Sequence, residues 1–394
     1  MKISLIQPSR NNLKYLKWSY DSIRKNQGDH EVQICVADDA STDETWEWCK
    51  GKMAVDPNFK AIRNDPENGR LGHTILYDRL INEVATNDVA MIYHADMYLC
   101  PGALDAIEKY IKPGVIVSLT RIEPPLHPDG PEKILFNGGT EPEEFEEEML
   151  LVSIPRLTDV DKTTEGIFAP WAFYRKDFQE IGGHDPLYAP QSKEDSDIFN
   201  RFQLNGVKFI QTWEGFVYHM TCRGSRFNPT ITQVGKESDE WLAQNQRSTR
   251  NFIRKWGHFV MHDKFMKPIV PPKFNIGIRL HKSTSNLLEL LEPWCSDILL
   301  DDEMGVQATH YLDKERKNTS IDLESKIKST PFETLDNDII VNIDSTTFQQ
   351  EDFSYIQQLS QILDQHGEVG TFELGNLQIE VHSLEEYQES LIFI

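Results

Sequence analysis

The sequence is short of positive charge. Lys and Arg number 40 against 63 Asp and Glu, for a formal net charge of −23 at pH 7. That excludes nonspecific binding to nucleic acid or to anionic membrane surfaces, which reward Lys/Arg-rich faces. It also means that a diphosphate ligand needs local positive charge, and a divalent metal ion is the direct source. Cysteine is scarce as well. Cys35, Cys49, Cys100, Cys222 and Cys295 are scattered, odd in number and without a CxxC pair. A zinc cage and a disulfide framework are therefore excluded, and a reduced, cytoplasmic setting is expected. No apolar run is long enough to cross a bilayer, and residues 1–6 read as a first strand instead of a secretory signal. There is no GxGxxG, no Walker loop and no internal repeat.

What is present is an alternation of strand and helix patterns. Hydrophobic residues make up 39% of the 394, enough for proper cores, and the length predicts at least two domains. Ile3, Leu5 and Ile6 mark a strand, and Leu13, Leu16, Tyr20 and Ile23 follow at helical spacing. Val32, Ile34 and Val36 alternate as a strand that ends at Ala37-Asp38-Asp39. A helix is predicted over 45–53, a short strand at 61–62, and an amphipathic helix through Leu71, Ile75, Leu76, Leu80 and Val84. The buried strand 89–93 ends at His94-Ala95-Asp96, and 115–119 is another strand. This order predicts an α/β fold with a mostly parallel central sheet flanked by helices. Ligands of such sheets bind beyond the carboxyl ends of the strands. Pro8-Ser9-Arg10-Asn11, Asp38-Asp39 and His94-Ala95-Asp96 each follow a strand, so they are expected to converge on one edge.

Residues 121–165 are rich in Pro, Gly and acid and read as a solvated loop or helix face. A helix over 194–204 is capped by Gly206, with strands at 207–210 and 216–218. The first domain is expected to span 1–266, its last part, 220–266, being a helical extension. A Pro-rich linker over 267–273 follows. The β/α pattern then restarts, and 274–394 is expected to be a smaller α/β accessory domain. Its strands are predicted at 275–280, 297–300 and 338–343 and its helices at 285–291 and 353–363.

Four segments resemble family 2 glycosyltransferases of the GT-A fold, in the family's order, over about residues 1–220. Ile6-Gln7-Pro8-Ser9-Arg10-Asn11 is similar to the family's opening strand and its Pro-Thr-Tyr-Asn turn, with Arg10 for the aromatic. Asp38-Asp39-Ala40-Ser41-Thr42-Asp43 is similar to Asp-Asp-Gly-Ser-x-Asp, with Ala40 for Gly. His94-Ala95-Asp96 stands where the family has Asp-x-Asp. Gly182-Gly183-His184-Asp185 followed by Glu194-Asp195-Ser196-Asp197 is similar to Gly-Gly-Phe-Asp and Glu-Asp-x-Asp, with His184 for Phe.

The resemblance implies an inverting transfer of a sugar from a nucleotide-sugar donor to a hydroxyl of a carbohydrate, lipid-linked or protein acceptor. Pro8, Ser9, Arg10, Asn11, Asp39, Arg70, His94, Ala95 and Asp96 would hold the donor. Asp39 would face the nucleotide base, which slightly favours a UDP-sugar. Asp96, with His219 and His94 as further candidates, would bind Mn²⁺ or Mg²⁺, and histidine ligands favour Mn²⁺. Asp195 would be the catalytic base, with Glu194 beside it. Each residue has a plainer reading. Asn11 caps a turn, Arg70 caps a helix, His219 is a strand-end histidine, and Glu194, Asp195 and Asp197 stabilise a helix N-terminus. Two other functions stand beside this one. A nucleotidyltransferase would usually carry a Gly-rich basic phosphate loop near the N-terminus, which is missing. A catalytically inactive sugar-nucleotide-binding or scaffold protein is left open by His94 in place of an acid.

Overall fold

The structure is a computed structural model and describes residues 1–221 and 237–394. Its chain forms two compact units. The first comprises Met1–Ala243, His262–Ile269 and Phe393–Ile394, and the second comprises Gln244–Met261 and Val270–Ile392.

The first unit begins with β1 (Lys2–Ser9), α1 (Leu13–Asn26), β2 (Glu31–Asp38), α2 (Thr45–Val55), β3 (Phe59–Arg63) and α3 (Gly72–Arg79). Then come β4 (Val89–Ile92), β5 (Met97–Leu99), α4 (Ala103–Tyr110), β6 (Val115–Glu123), β7 (Lys133–Leu135), α5 (Glu147–Leu157) and β8 (Thr163–Thr164). β9 (Trp171–Tyr174), α6 (Arg175–Glu180), α7 (Glu194–Leu204) and β10 (Lys208–His219) follow. The sheet order is β3-β2-β1-β4-β9-β6-β10-β5, with β7 beside β6 and β8 beside β10. β1 to β4 pair in parallel, whereas β9 runs antiparallel between β4 and β6, so the sheet is mixed. Seven of the eight residues of β1 and of β2 are buried, as expected for strands covered on both faces. α1 buries Leu16, Tyr20 and Ile23 at helical spacing against that core.

Two local readings are corrected by the structure, and a third, the solvated loop or helix face, is made specific. The helix expected through Val84 is α-helical only to Arg79 and then widens to a π-turn over Leu80–Val84. The strands expected at 207–210 and 216–218 are one strand, β10, whose register against β6 shifts between Thr212 and Phe216. Residues 147–157 of the acid-rich stretch form a helix, anchored by buried Leu150.

The second unit includes most of α8 (Asp239–Trp256), then β11 (Ile276–His281), α9 (Ser285–Leu291), β12 (Asp297–Leu300), α10 (Gly305–Glu315) and α11 (Leu323–Lys326). β13 (Ile327–Ser329), β14 (Ile339–Asp344), α12 (Gln350–His366), β15 (Gly370–Leu374) and β16 (Leu377–Val381) complete it. Its sheet order is β13-β12-β11-β14-β16-β15. Residues 244–261 group here and not with the first unit. The physical reason is a buried charge network. Arg254 donates to Glu292 and Glu315, Arg250 to Glu315 and Tyr311, and Lys326 pairs with Glu292 at 2.7 Å. Burial works against the charged form of Glu292, but Lys326 and Arg254 hold its carboxyl well below the usual range.

Removing one member of such a network leaves buried partners uncompensated, which costs about 3–5 kcal/mol. Glu292→Ala is therefore expected to destabilise the second unit by about that amount in urea unfolding near neutral pH. A loss under about 1 kcal/mol, the range of surface pairs, would contradict the network's role. Because the folded pKa is depressed, the parent's advantage is present above the unfolded pKa and fades as pH falls toward the folded one.

Cys35, Cys49, Cys100 and Cys295 are free and buried. Cys222 lies outside the described residues. Among the described residues no helix is long and apolar enough to cross a membrane.

Candidate active site

The parallel ladders β2-β1-β4 bring three polar segments together at their carboxyl ends. Asp39 N–H donates to Ser9 O at 2.9 Å, and Tyr93 N–H to Ile6 O at 3.1 Å. Asn11 Oδ1 accepts from Thr42 N–H at 2.8 Å, and Gln7 Nε2 donates to His94 O at 3.4 Å. Ala40 sits at φ +54°, left-handed backbone that costs a residue with a Cβ about 1–2 kcal/mol. That explains why the similar family motif has Gly there.

Asp39 is buried and its carboxylate is already engaged. It accepts from Asn64 Nδ2 at 2.8 Å, Leu71 N–H at 3.0 Å and Gly72 N–H at 2.9 Å. It thereby fixes the start of α3 and the turn that carries Arg70. Gly72 is required there: it has φ +79°, and a Cβ would lie 2.0 Å from Pro190 O. Arg70 reaches Gln191 Oε1 at 2.6 Å, so it is neither exposed nor a simple cap. Burial pushes its guanidinium down, against the attraction of Asp39. Arg10 Nη1 and Ser9 Oγ are buried with no hydrogen-bond partner among the described residues. Pro8 and Ala95 are buried backbone positions of the same edge.

His94, Asp96 and His219 form a cluster whose ligand atoms all lie within 4.8 Å of one another. The His94 and His219 rings are 5.8 Å apart, and His219 Nε2 is 3.5 Å from Asp96 Oδ1. β10 pairs antiparallel with β5 at His219↔Met97, which sets His219 opposite the end of the 94–96 turn. His219 Nδ1 bonds Glu123 Oε1 at 2.9 Å, leaving Nε2 for the cluster. Such carboxylate–histidine pairs orient metal ligands. Glu123 is in turn held by Arg121 at 3.2 Å and Lys133 at 3.4 Å.

The cluster favours a cation. Burial would lower the His219 pKa, but Asp96 and Glu123 raise it to about 9. Burial would raise Asp96, yet His219 draws it down to about 2. Burial pushes His94 down to about 3, so it stays neutral and offers a lone pair. A metal ion would displace the proton from His219 Nε2, after which two imidazole nitrogens and a carboxylate oxygen suit a divalent transition metal.

The acidic pair lies at the start of α7. Ser192 at φ +80° and Lys193 at φ +72° turn the chain left-handed just before the helix, a strained arrangement of the sort that clusters at active sites. Burial raises Glu194, and the neighbouring Asp195 charge raises it further. Burial also raises Asp195, against the charge of His184. Glu194 Oε2 is buried without a partner among the described residues. Two adjoining carboxyls, Glu194 buried and Asp195 half-buried, share a proton more readily than they both ionise. Asp197, by contrast, is structural: it pairs with Arg201 at 2.8 Å, both fully buried. Burial pushes the Tyr77 hydroxyl well up, and the charges of Asp195, Glu194 and Asp96 push it further.

Sequence reasoning missed three residues here. His73 feels the charges of Arg70, Asp39 and Asp96, and burial pushes it down to about 4. Asp78 accepts from the ring and backbone N–H of His184, and Glu123 orients His219. The departure from Phe marked His184, but nothing along the chain tied it to Asp78, 106 residues away.

Residues 4–182 match the family model described as glycosyl transferase family 2. No curated protein matches the chain. Solved structures with which it shares similarity include GalNAc-T7 with UDP, GalNAc and Mn²⁺, at 15% identity and a TM-score of 0.45 over 64% of this chain and 48% of that one. A mannosyltransferase from Pyrobaculum calidifontis, in complex with GDP-Man and Mn²⁺, matches at 18% identity and a TM-score of 0.40, over 56% of this chain and 58% of that one. S. aureus TarS residues 1–349 match at 17% identity and a TM-score of 0.39, over 56% and 60%. The chain thus spans about half the length of the first of these.

Proposed function

We propose that the family 2 glycosyl transferase domain matched over residues 4–182, completed by α7 and the end of β10, transfers a sugar from a nucleoside diphosphate donor to an acceptor hydroxyl. One observation carries the reading. A His94–Asp96–His219 cluster suited to a divalent ion and the Glu194–Asp195 pair at the start of α7 belong to one unit, and the charges of both groups act on the Tyr77 hydroxyl. A metal ion held by Asp96, His219 and His94 would neutralise the charge that develops on the leaving diphosphate. The chain's own residues do the rest. Arg10 and Arg70 bring positive charge to the donor edge of an acidic protein. Asp39 keeps the 69–72 turn in place and has one lone-pair site left for a base N–H. Asp195 accepts the acceptor's proton, while Glu194 holds the pair's other proton. A single base facing the leaving group gives inversion at the anomeric carbon.

The donor is a UDP-sugar in this reading, and the acceptor a glycan, lipid-linked or protein hydroxyl. Release of nucleoside diphosphate from UDP- and GDP-sugars, with Mn²⁺ and with chelator, tests it. Metal-dependent release separates a transferase from an inactive binding protein, and absence of release from every donor would count against transfer. Release of inorganic pyrophosphate from a nucleoside triphosphate and a sugar 1-phosphate, with no nucleoside diphosphate freed from the nucleotide sugars, would favour a nucleotidyltransferase.

Asp39→Asn is expected to set an NH₂ against one of the backbone N–H donors that Asp39 now accepts. An unsatisfied buried donor costs about 1–3 kcal/mol. The 69–72 turn should loosen, and the ranking of uridine and guanosine diphosphates as competitors should change. Unchanged melting temperature and unchanged ranking would remove Asp39 from the nucleotide site.

A further inference from the structure

Residues 121–139, part of the stretch that reads as a solvated loop in the sequence, frame the His94–Asp96–His219 cluster from outside. β6 pairs in parallel with β10 at Arg121↔Val217 and Ile122↔Tyr218, so Glu123 comes level with His219. Alternation sends Ile122 and Tyr218 into one apolar cluster and leaves Glu123 and His219 together on the opposite face. There Glu123 is buried, and its Oε1 accepts from His219 Nδ1 at 2.9 Å. Two cations fix the same carboxylate. Arg121 Nη1 lies 3.2 Å from Oε1, and Lys133 Nζ lies 3.4 Å from Oε2. β7 brings Lys133 there by pairing with β6 at Arg121↔Lys133 and Glu123↔Leu135, and Phe136 N–H donates to Glu123 O at 2.9 Å. Arg121 is held over the Phe168 ring at 4.2 Å. Tyr218, the residue before His219, is pinned by the same segment: its hydroxyl donates to Gly139 O at 2.6 Å and accepts from Gly138 N–H at 3.2 Å.

We propose that Glu123, locked by Arg121 and Lys133, is a positioning residue that sets the affinity of the site for its divalent ion, by engaging His219 Nδ1 and so presenting the Nε2 lone pair beside Asp96. This rests on the reading of His94, Asp96 and His219 as the metal ligands. An imidazole binds an ion through one nitrogen, and the hydrogen bond at the other nitrogen decides which one it is and how the ring is turned. His219 Nε2 is the nitrogen on the Asp96 side, 3.5 Å from Oδ1, and Nδ1 is the nitrogen on the Glu123 side. Glu123 is not itself a member of the cluster, so it acts through His219. Among the described residues it is the partner that holds Nδ1. Without that contact the ring regains freedom about its side-chain bonds, and ordering it again on binding costs part of the ion's affinity.

The test is the affinity of the intact chain for Mn²⁺ in saturating UDP, read from the spin-resonance signal of free Mn²⁺. Two comparisons hold charge constant, so that a plain electrostatic pull on the cation does not enter them. Glu123→Leu and Glu123→Gln are both neutral, but Gln keeps an oxygen within reach of the Nδ1–H. Glu123→Leu should weaken Mn²⁺ binding by about 10–100-fold, and Glu123→Gln should recover about threefold of that loss or more. Glu123→Asp keeps the charge and withdraws the carboxylate by about one C–C bond, roughly 1.5 Å. It should weaken Mn²⁺ binding by about tenfold or more, and it carries the test if the Leu variant does not fold. UDP affinity in chelator should stay at the parent's value in all three. With His219→Ala shown to lose Mn²⁺ binding, equal losses in the Leu and Gln variants, or parent-like affinity in Leu or Asp, overturn this inference alone. Weakened UDP binding in chelator assigns Glu123 a structural role and overturns it as well. A His219→Ala variant that binds Mn²⁺ like the parent overturns the ligand assignment, and this inference with it.

Discussion

Asp195→Asn is expected to abolish transfer while leaving donor and metal binding intact. The substitution keeps the shape of the side chain and removes its capacity to take a proton. A positioned base contributes about 10²–10⁴-fold, so kcat should fall by that factor with little change in donor affinity. Glu194→Gln is the paired experiment. Glu194 is pushed up by burial and by its neighbour, which favours its protonated form, and a neutral amide imitates that form. Its loss should therefore cost less. Single-turnover transfer by the two variants measures the difference. Near-normal turnover in Asp195→Asn with none in Glu194→Gln would move the base by one position. Normal turnover in both would remove the pair from the chemistry.

Much of this was legible because the chemistry sits where strands stop. Apolar alternation located β1, β2 and β4, and the polar residues that end each run were then bound to share an edge. The bounds of α7, 194–204, could be read because acids open it and Gly206, at φ +77°, closes it. β9 was harder to read. A short strand that runs antiparallel between two others carries no local mark of its direction, so the sheet was expected to be more parallel than it is. Along the sequence β10 reads as two strands because the irregularity at 212–216 interrupts the alternation. Residues 244–261 looked like an extension of the first domain. Only the buried partners of Arg250 and Arg254, Glu292 and Glu315, show which unit they join, and those lie about forty to sixty residues further on.

The site followed the same division. Residues in strand-end motifs could be named from their own segment, as with Asp39, His94, Asp96 and His219. Residues whose role is to hold another side chain could not. Glu123 matters through His219, and Asp78 through His184, and neither pairing has a sequence pattern. Ala40 is the converse case. It looked like a departure from the family motif, yet its backbone adopts the left-handed conformation that the motif's Gly would take.

The second large effect belongs to Asp96. It is the acid of the His94–Asp96–His219 cluster, and its removal leaves two imidazoles, one of them held by Glu123. A neutral pair has far less hold on a hard divalent ion than a set that includes a carboxylate. Asp96→Ala should therefore lose metal-dependent donor binding without unfolding the chain, since among the described residues the Asp96 carboxylate is held by His219, 3.5 Å away, within the same cluster. Displacing a ligand of the leaving diphosphate's counter-ion should lower turnover at least as much as removing the base, by about 10²-fold or more.

The most direct test of the account is a calorimetric titration of the parent and of Asp96→Ala with UDP, each with Mn²⁺ and with chelator. The account predicts that Mn²⁺ tightens binding by about tenfold or more in the parent, equivalent to about 1.4 kcal/mol, and has no effect in Asp96→Ala. Equal metal dependence in the two proteins, or UDP binding in the parent that ignores Mn²⁺, would contradict it.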